Sequence, residues 1–244
     1  MSTATMASGE AAARHTRRNA GLLADLEKQT LIGIAHRLPR WVNSDHLTGL
    51  GLVGMVAAGA AFAVGGTHTW ALPLVVIALA LNWFGDSLDG TLARVRQQQR
   101  PRYGYYVDHV LDILGTAVLF GGLIWGSHIS PIVATMLLAA YYGVMAEVFL
   151  ATASRGEFRM SFMGMGPTEL RLVLAAGALA LMRDPQVTIA GLGRFGLFDV
   201  GGVVATAGLV TAFVVSGLRN GRALYREEPL PRRAVERRPR VSLW

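Results

Sequence analysis

Long apolar stretches dominate this chain and leave it few ways to fold. A helix needs about 20 residues to cross the hydrocarbon core of a bilayer. Charged residues make up only 16% of the chain and hydrophobic residues 52%, whereas a soluble domain carries about 25% charge. The sequence therefore predicts an all-α integral membrane protein with six transmembrane helices. The six stretches lie at about 46–66, 70–94, 104–126, 131–153, 168–183 and 200–218, the fifth being short on its own.

The segments on either side of this region are basic. Residues 1–20 read as a flexible basic arm, and residues 21–42 as an amphipathic helix in the headgroup plane. The alternative for that helix is packing on the protein itself. Residues 43–219 would form the six-helix transmembrane catalytic domain, and 220–244 a basic tail on anionic headgroups. No nucleic-acid motif accompanies the basic blocks, so we expect no nucleic acid partner, and the absence of cysteine excludes a disulfide framework.

Arginines are distributed unevenly among the predicted loops. The loops at 65–69 and 126–130 contain no Lys or Arg, whereas 94–102 and 155–171 are basic. Because positive loops stay in the cytoplasm, we expect both termini and the two basic loops there. The segment 183–199 would lie outside.

Four carboxylates interrupt the second and third stretches, namely Asp86, Asp89, Asp108 and Asp112. Four unpartnered charges inside a membrane would cost about 10 kcal/mol. Each pair has a spacing of three or four residues and so lies on one helix face. Asp86 would lie about 24 Å along the second stretch, and Asp112 about 12 Å into the third. We therefore expect antiparallel neighbours that bring all four carboxylates to a similar depth near the cytoplasmic side.

Such oxygen ligands suit Mg²⁺ or Mn²⁺, and four carboxylates are enough for two ions. Gly90 and Gly104 flank the two pairs and leave space for a ligand. Arg94 ends the second stretch, where it could hold a phosphate. This combination of groups indicates phosphoryl transfer.

The stretch Asp86-Ser-Leu-Asp89-Gly90-Thr-Leu-Ala93-Arg94, a nine-residue spacer and Gly104-Tyr-Tyr-Val-Asp108-His-Val-Leu-Asp112 resemble the signature of the CDP-alcohol phosphotransferases. That signature is D-x2-D-G-x2-A-R, eight or nine residues, and G-x3-D-x3-D. All of its eight fixed positions are matched, over about a tenth of the chain. The layout of six spans after a surface helix is also similar to that family.

The resemblance implies roles for individual residues. Members transfer a substituted phosphate from a CDP-linked alcohol to an acceptor hydroxyl and release CMP during phospholipid synthesis. Asp86, Asp89 and Asp108 would bind the metal ions with Asp112 sharing one, and Asp112 would be the general base. The resemblance also implies a homodimer. The nucleotide and diphosphate contacts would come from Gly90, Ala93, Arg94 and Gly104.

A weaker match lies before the first span. Many members carry P-N-x-x-T there, and this chain has Ser44-Asp45-His46-Leu47-Thr48. Thr48 matches, whereas Asp45 replaces Asn and Ser44 replaces Pro. The resemblance assigns Thr48 and Asp45 to the nucleotide side, and the alternative is that Ser44 and Asp45 only cap the helix.

The sequence is compatible with two combinations of donor and acceptor. Members with phosphorylated acceptors place basic residues near the turn between the fourth and fifth spans, where this chain has Arg155, Arg159 and Arg171. The alternative is that these arginines only set the topology. We expect CDP-diacylglycerol with a polar acceptor, and the alternative is phosphocholine or phosphoethanolamine transfer from a CDP-headgroup to diacylglycerol.

Two hypotheses from other classes also account for buried carboxylates. An ion or proton transporter would use the Asp residues as a pathway and would release no CMP. An inactive relative acting as a membrane scaffold would fold without turnover. The complete signature favours the enzyme over both. A transporter would not require Gly90, Ala93, Arg94 and Gly104 at these spacings, and a scaffold has no reason to keep four membrane-buried Asp residues.

Overall fold

Helices follow one another along most of the chain. The computed structural model describes residues 24–155, 167–228 and 230. Ten elements are present in this part, including a 3-10 turn at Thr69–Ala71 that leads into the third helix. The other nine are α1 Ala24–Arg37, α2 Ser44–Gly65, α3 Leu72–Val95, α4 Pro101–Trp125, α5 Pro131–Arg155, α6 Pro167–Leu181, β1 Gln186–Ile189, β2 Gly193–Gly196 and α7 Leu197–Glu227.

Five of these helices are long and apolar enough to cross a membrane, namely α2, α3 with its leading turn, α4, α5 and α7. They correspond to five of the six predicted stretches. The sixth, at 168–183, corresponds to α6, which has 15 residues and measures about 22 Å at 1.5 Å per residue. The prediction of a multi-pass helical membrane protein is therefore confirmed, whereas a count of six spans is not.

Helix α2 packs closely against both α3 and α4. A Cβ on Gly54 would lie 2.5 Å from the backbone nitrogen of Asn82 in α3, and one on Gly122 of α4 would lie 2.0 Å from the carbonyl oxygen of Gly59. No side chain fits at either position. The apolar core around these contacts includes Phe62, Leu72 and Leu123, all fully buried. The helix thus contacts both of the helices that carry the Asp pairs.

The segment predicted as an amphipathic helix at 21–42 contains α1. Its side chains Leu31 and Ala35 are buried in one cluster with Leu88 and Leu92 of α3. This face of α1 therefore packs on the protein, as the alternative interpretation predicted. A location of α1 in the headgroup plane remains a prediction. The predicted arm at 1–20 lies outside the described residues.

A short hairpin separates α6 from α7, where the sequence predicted only an external segment. Strands β1 and β2 are antiparallel, with Val187 opposite Phe195. Gly191 and Gly193 have φ values of +80° and +107°, a backbone region that favours glycine. The chain therefore carries a small β element that the all-α prediction did not include.

The last helix is longer than predicted. Helix α7 runs from Leu197 to Glu227, so the tail predicted to begin at residue 220 is helical for its first eight residues. At the other end, Asp199 Oδ1 accepts a hydrogen bond of 2.8 Å from the backbone N–H of Ser130. This bond ties the start of α7 to the start of α5.

Candidate active site

The carboxylate of Asp89 is held by residues at the start of α2. Thr48 Oγ1 donates to Asp89 Oδ2 at 2.7 Å, and Ser44 Oγ donates to the backbone carbonyl of Asp89 at 2.8 Å. The backbone N–H of Gly90 donates to the other carboxylate oxygen, Oδ1. Asp89 is thus fixed by contacts from two helices, and the match of Thr48 to the upstream signature acquires a structural reason.

The carboxylate of Asp86 is paired with an arginine from α6. Arg171 Nη2 lies 2.5 Å from Asp86 Oδ2, and the two side chains are only 15% and 24% exposed. Arg171 Nε also donates to Asn82 Oδ1 at 2.7 Å, and Asn82 Nδ2 donates to the carbonyl of Gly51 at 2.9 Å. Arg171 therefore compensates one of the four intramembrane charges that the sequence left unexplained.

On α4, Asp112 lies near Tyr141 of α5. Tyr141 of α5 lies close enough to both Asp112 and Arg171 for their charges to act on its hydroxyl. Because Arg171 is bonded to Asp86, Tyr141 is near charged groups that belong to, or are paired with, both α3 and α4. Asp108 lies one turn before Asp112 on the same face of α4.

The described side chains do not assemble a closed metal site. Among the side chains that the structure describes, no three acidic or histidine groups converge closely enough to hold an ion. The donors nevertheless fit Mg²⁺ or Mn²⁺ in kind, because both ions prefer oxygen ligands. Asp86 and Asp89 are half-buried on one face of α3 and each has one oxygen bound to a neighbouring helix.

The remaining signature residues border an open space at this end of the helices. A Cβ on Gly104 would meet nothing within 4 Å. Arg94 is exposed and its Nη2 donates to Thr91 Oγ1 at 3.0 Å, while its guanidinium passes 3.4 Å from the place of a Cβ on Gly90. Ala93 is half-buried on the same helix. Arg94 is therefore within reach of a phosphate that approaches from outside the bundle.

Asp45 contacts the α3–α4 loop. Its carboxylate forms an ion pair with Arg100, whose guanidinium lies 4.2 Å from the centre of the Tyr103 ring. The N-cap of α2 is Asn43, which forms a capping box with His46. The alternative that Ser44 and Asp45 cap this helix was therefore wrong, because the residue before them already accepts the free N–H.

The three arginines predicted to bind the acceptor have different surroundings. Arg171 reaches Asp86, whereas Arg155 Nη1 donates to Asn220 Oδ1 at 2.8 Å and Nη2 lies 3.8 Å from Glu227. Arg159 lies outside the described residues. The structure thus brings one of the three to the carboxylates and places another at the α5–α7 contact.

A buried polar network between α5 and α7 was not foreseen. Glu147 accepts hydrogen bonds from Ser216 at 2.8 Å and from Asn220 at 2.7 Å, and Asn220 in turn binds Arg155. Ser216 and Asn220 are four residues apart, and this helical spacing was the available signal. The network joins two helices by side-chain hydrogen bonds inside the apolar region.

The sequence of most of this chain, including both helices that carry the Asp pairs, matches a known family. The family model for CDP-alcohol phosphatidyltransferases matches residues 41–216. The chain belongs to the CDP-alcohol phosphatidyltransferase family. It is therefore a phosphotransferase enzyme that carries out CDP-alcohol phosphatidyl transfer, and the matched range contains the whole signature together with Ser44, Thr48 and Arg171.

A solved structure shares the fold of this phosphatidyltransferase. It is Mycobacterium tuberculosis phosphatidylinositol phosphate synthase (PgsA1) with CDP-DAG bound, at 21% identity and a TM-score of 0.56. The similarity covers 85% of this chain and 100% of the mycobacterial one. No curated protein sequence matches the chain significantly.

Proposed function

We propose that this phosphatidyltransferase moves a phosphatidyl group from CDP-diacylglycerol to the hydroxyl of a polar acceptor and releases CMP, in membrane phospholipid synthesis. The observation that carries the proposal is the arrangement of Asp86 and Asp89, which Arg171 and Thr48 hold from neighbouring helices. The solved structure of similar fold carries CDP-DAG, which supports this donor over a CDP-headgroup.

The donor would lie at the open end of α3 and α4. Its diphosphate is anionic, and Arg94 is the exposed guanidinium of the signature on that side. Gly90, Ala93 and Gly104 would form the cytidine pocket, and the space beside Gly104 is open. Thr48 and Asp45 would border this pocket from α2.

Enzymes of this family generally depend on a divalent metal. We propose that Asp86, Asp89, Asp108 and Asp112 hold Mg²⁺ or Mn²⁺, two ions in all, since their oxygen donors fit these ions in kind. When bound, the metal would neutralise the charge of the diphosphate.

Asp112 would act as the general base. Its carboxylate would take the proton of the acceptor hydroxyl, whose oxygen forms a bond to the phosphorus that carries the diacylglycerol. The bond from that phosphorus to the oxygen shared with CMP breaks, and CMP leaves with the electron pair. Positioning and charge neutralisation supply most of the catalysis in such transfers, so the protein needs no covalent intermediate.

The acceptor would approach from the side of α5 and α6. On that side, Arg171 of α6 contacts the carboxylate of Asp86. A phosphorylated acceptor would bind Arg171 together with Arg155 and Arg159. We further propose that both termini and the active site face the cytoplasm, as the basic loops predict, and that the enzyme is a homodimer.

The test is CMP release by purified protein in lipid with Mn²⁺ or Mg²⁺. Donors are CDP-diacylglycerol, CDP-choline and CDP-ethanolamine, and acceptors are glycerol phosphate, inositol phosphate, inositol, serine and diacylglycerol. Metal-dependent release from CDP-diacylglycerol with one polar acceptor supports the proposal and identifies the product. Release only from a CDP-headgroup with diacylglycerol would show that the donor is the CDP-headgroup and not CDP-diacylglycerol. Cation flux without CMP release would overturn the proposal.

A further inference from the structure

Arg96 joins the end of α3 to the turn between α1 and α2. We call residues 38–43 the elbow. Arg96 Nη2 donates to the carbonyls of Leu38 at 3.0 Å and Pro39 at 2.9 Å, and Nη1 donates to the carbonyl of Val42. One guanidinium thus binds three backbone carbonyls of a single turn.

The elbow depends on such a donor. Its carbonyls lie between α1 and α2, where Pro39 accepts from the Val42 N–H at 3.1 Å and Asn43 accepts from the Leu47 N–H at 3.4 Å. A partly buried carbonyl without a partner is costly. Arginine suits this task because its planar group presents several N–H donors in a fixed geometry, and Arg96 is itself half-buried.

The elbow leads directly into the residues that hold Asp89. Asn43 caps α2, Ser44 binds the carbonyl of Asp89, and Thr48 binds its carboxylate. Asp89 of α3 and Arg96, the residue that caps the end of this helix, are seven residues apart, about two helical turns, so both face this part of the chain. The contacts close a loop that runs from α3 through the elbow and α2 back to α3.

We propose that Arg96 is a positioning residue that fixes the elbow and, through Thr48, orients the carboxylate of Asp89. This inference rests on the proposed function of Asp89. Arg96 lies in the spacer between the two halves of the signature and occupies none of its fixed positions. The contacts assign it a specific task in the site, because its guanidinium donates to the carbonyls of Leu38, Pro39 and Val42 in the turn that leads into Ser44 and Thr48.

The experiment measures the mobility of a spin label in the elbow and, separately, the kinetics of the enzyme. The chain has no cysteine, so Trp41→Cys, at a side chain 75% exposed in the elbow, accepts a single nitroxide label. Arg96→Gln should raise the mobility of that label, whereas Thr48→Val should leave it unchanged. Arg40→Gln, which removes an exposed charge from the same elbow, is the matched control and should change neither mobility nor turnover.

In the kinetic arm, Arg96→Gln and Thr48→Val should each lower kcat/KM for the CDP-alcohol by about tenfold. Because both changes act on Asp89, the double variant should lose little more than the worse single variant. Arg96→Lys, which keeps the charge without the planar group, should fall between wild type and Arg96→Gln and provides a folded variant if Arg96→Gln is unstable.

Unchanged label mobility in both Arg96 variants would show that Arg96 does not fix the elbow. Fully additive kinetic losses would show that Arg96 does not act on Asp89 through Thr48. Absence of CMP release from the wild type would instead overturn the proposed function, and the mobility measurement would still decide whether Arg96 holds the elbow.

Discussion

Thr48 of α2 donates a hydrogen bond of 2.7 Å to Oδ2 of Asp89 in α3. Asp89 belongs to the eight-position signature and Thr48 to the weaker upstream match, and the bond gives the hydroxyl a task that differs from direct contact with the nucleotide. A ligand carboxylate is commonly oriented by such a partner, whose loss costs about 10–100-fold in metal affinity or activity.

Replacement of Thr48 by Val should therefore weaken binding of Mn²⁺ by at least about tenfold, measured by electron paramagnetic resonance of the free ion. Thr48→Ser keeps the hydroxyl and should retain near wild-type affinity. Equal affinities for the Val and Ser variants would show that the bond to Asp89 does not orient a metal ligand.

Arg171 compensates the charge of Asp86 in a mostly buried environment. Arg171→Gln should lower the apparent Tm in detergent and abolish turnover, because removal of one partner leaves an uncompensated charge. Adding Asp86→Asn should restore much of the Tm without restoring turnover. A double variant as unstable as the single one would contradict the role of this pair in stability.

The Glu147 network should support the contact between α5 and α7 without taking part in chemistry. Glu147→Leu leaves the polar groups of Ser216 and Asn220 without their acceptor, at a cost of about 1–3 kcal/mol. The expected result is a lower Tm with an unchanged KM for the donor. Thr211→Val, at an exposed position of α7, is the control, and a raised KM in the Glu147 variant would place the network in the site.

His128 lies between α4 and α5, where its Nε2–H donates to the carbonyl of Phe62 at 2.9 Å. Burial lowers the pKa of His128 below its ordinary value of 6.5. The unfolded chain therefore takes up the proton first, so this residue should lower stability as the pH falls through 6.5 toward the depressed pKa. The Tm of the wild type should fall more between pH 7.5 and 5.5 than that of His128→Gln, and equal slopes would contradict this.

Features with a local pattern were predictable from the sequence. The five long helices follow from apolar length, and the shared faces of the two Asp pairs follow from their spacing. Membership of the family followed from the eight fixed positions and was confirmed by the match over residues 41–216.

Long-range contacts were not predictable, because they depend on which helices pack together. The pairing of Arg171 with Asp86 spans 85 residues and that of Arg96 with Leu38 spans 58. Neither leaves a periodic signal in the sequence. The hairpin escaped prediction for another reason, since its strands have four residues each and are too short for a clear alternation.

The most direct test of the account is CMP release from CDP-diacylglycerol by the Asp112→Asn variant beside the wild type. Asp184→Asn, at an exposed aspartate of the segment before the hairpin, is the matched control. We expect metal-dependent release by the wild type and the control, and loss of release by a folded Asp112→Asn protein. Full activity of that variant would remove Asp112 as the base, and a wild type inactive with every donor and acceptor would contradict the proposed phosphatidyl transfer.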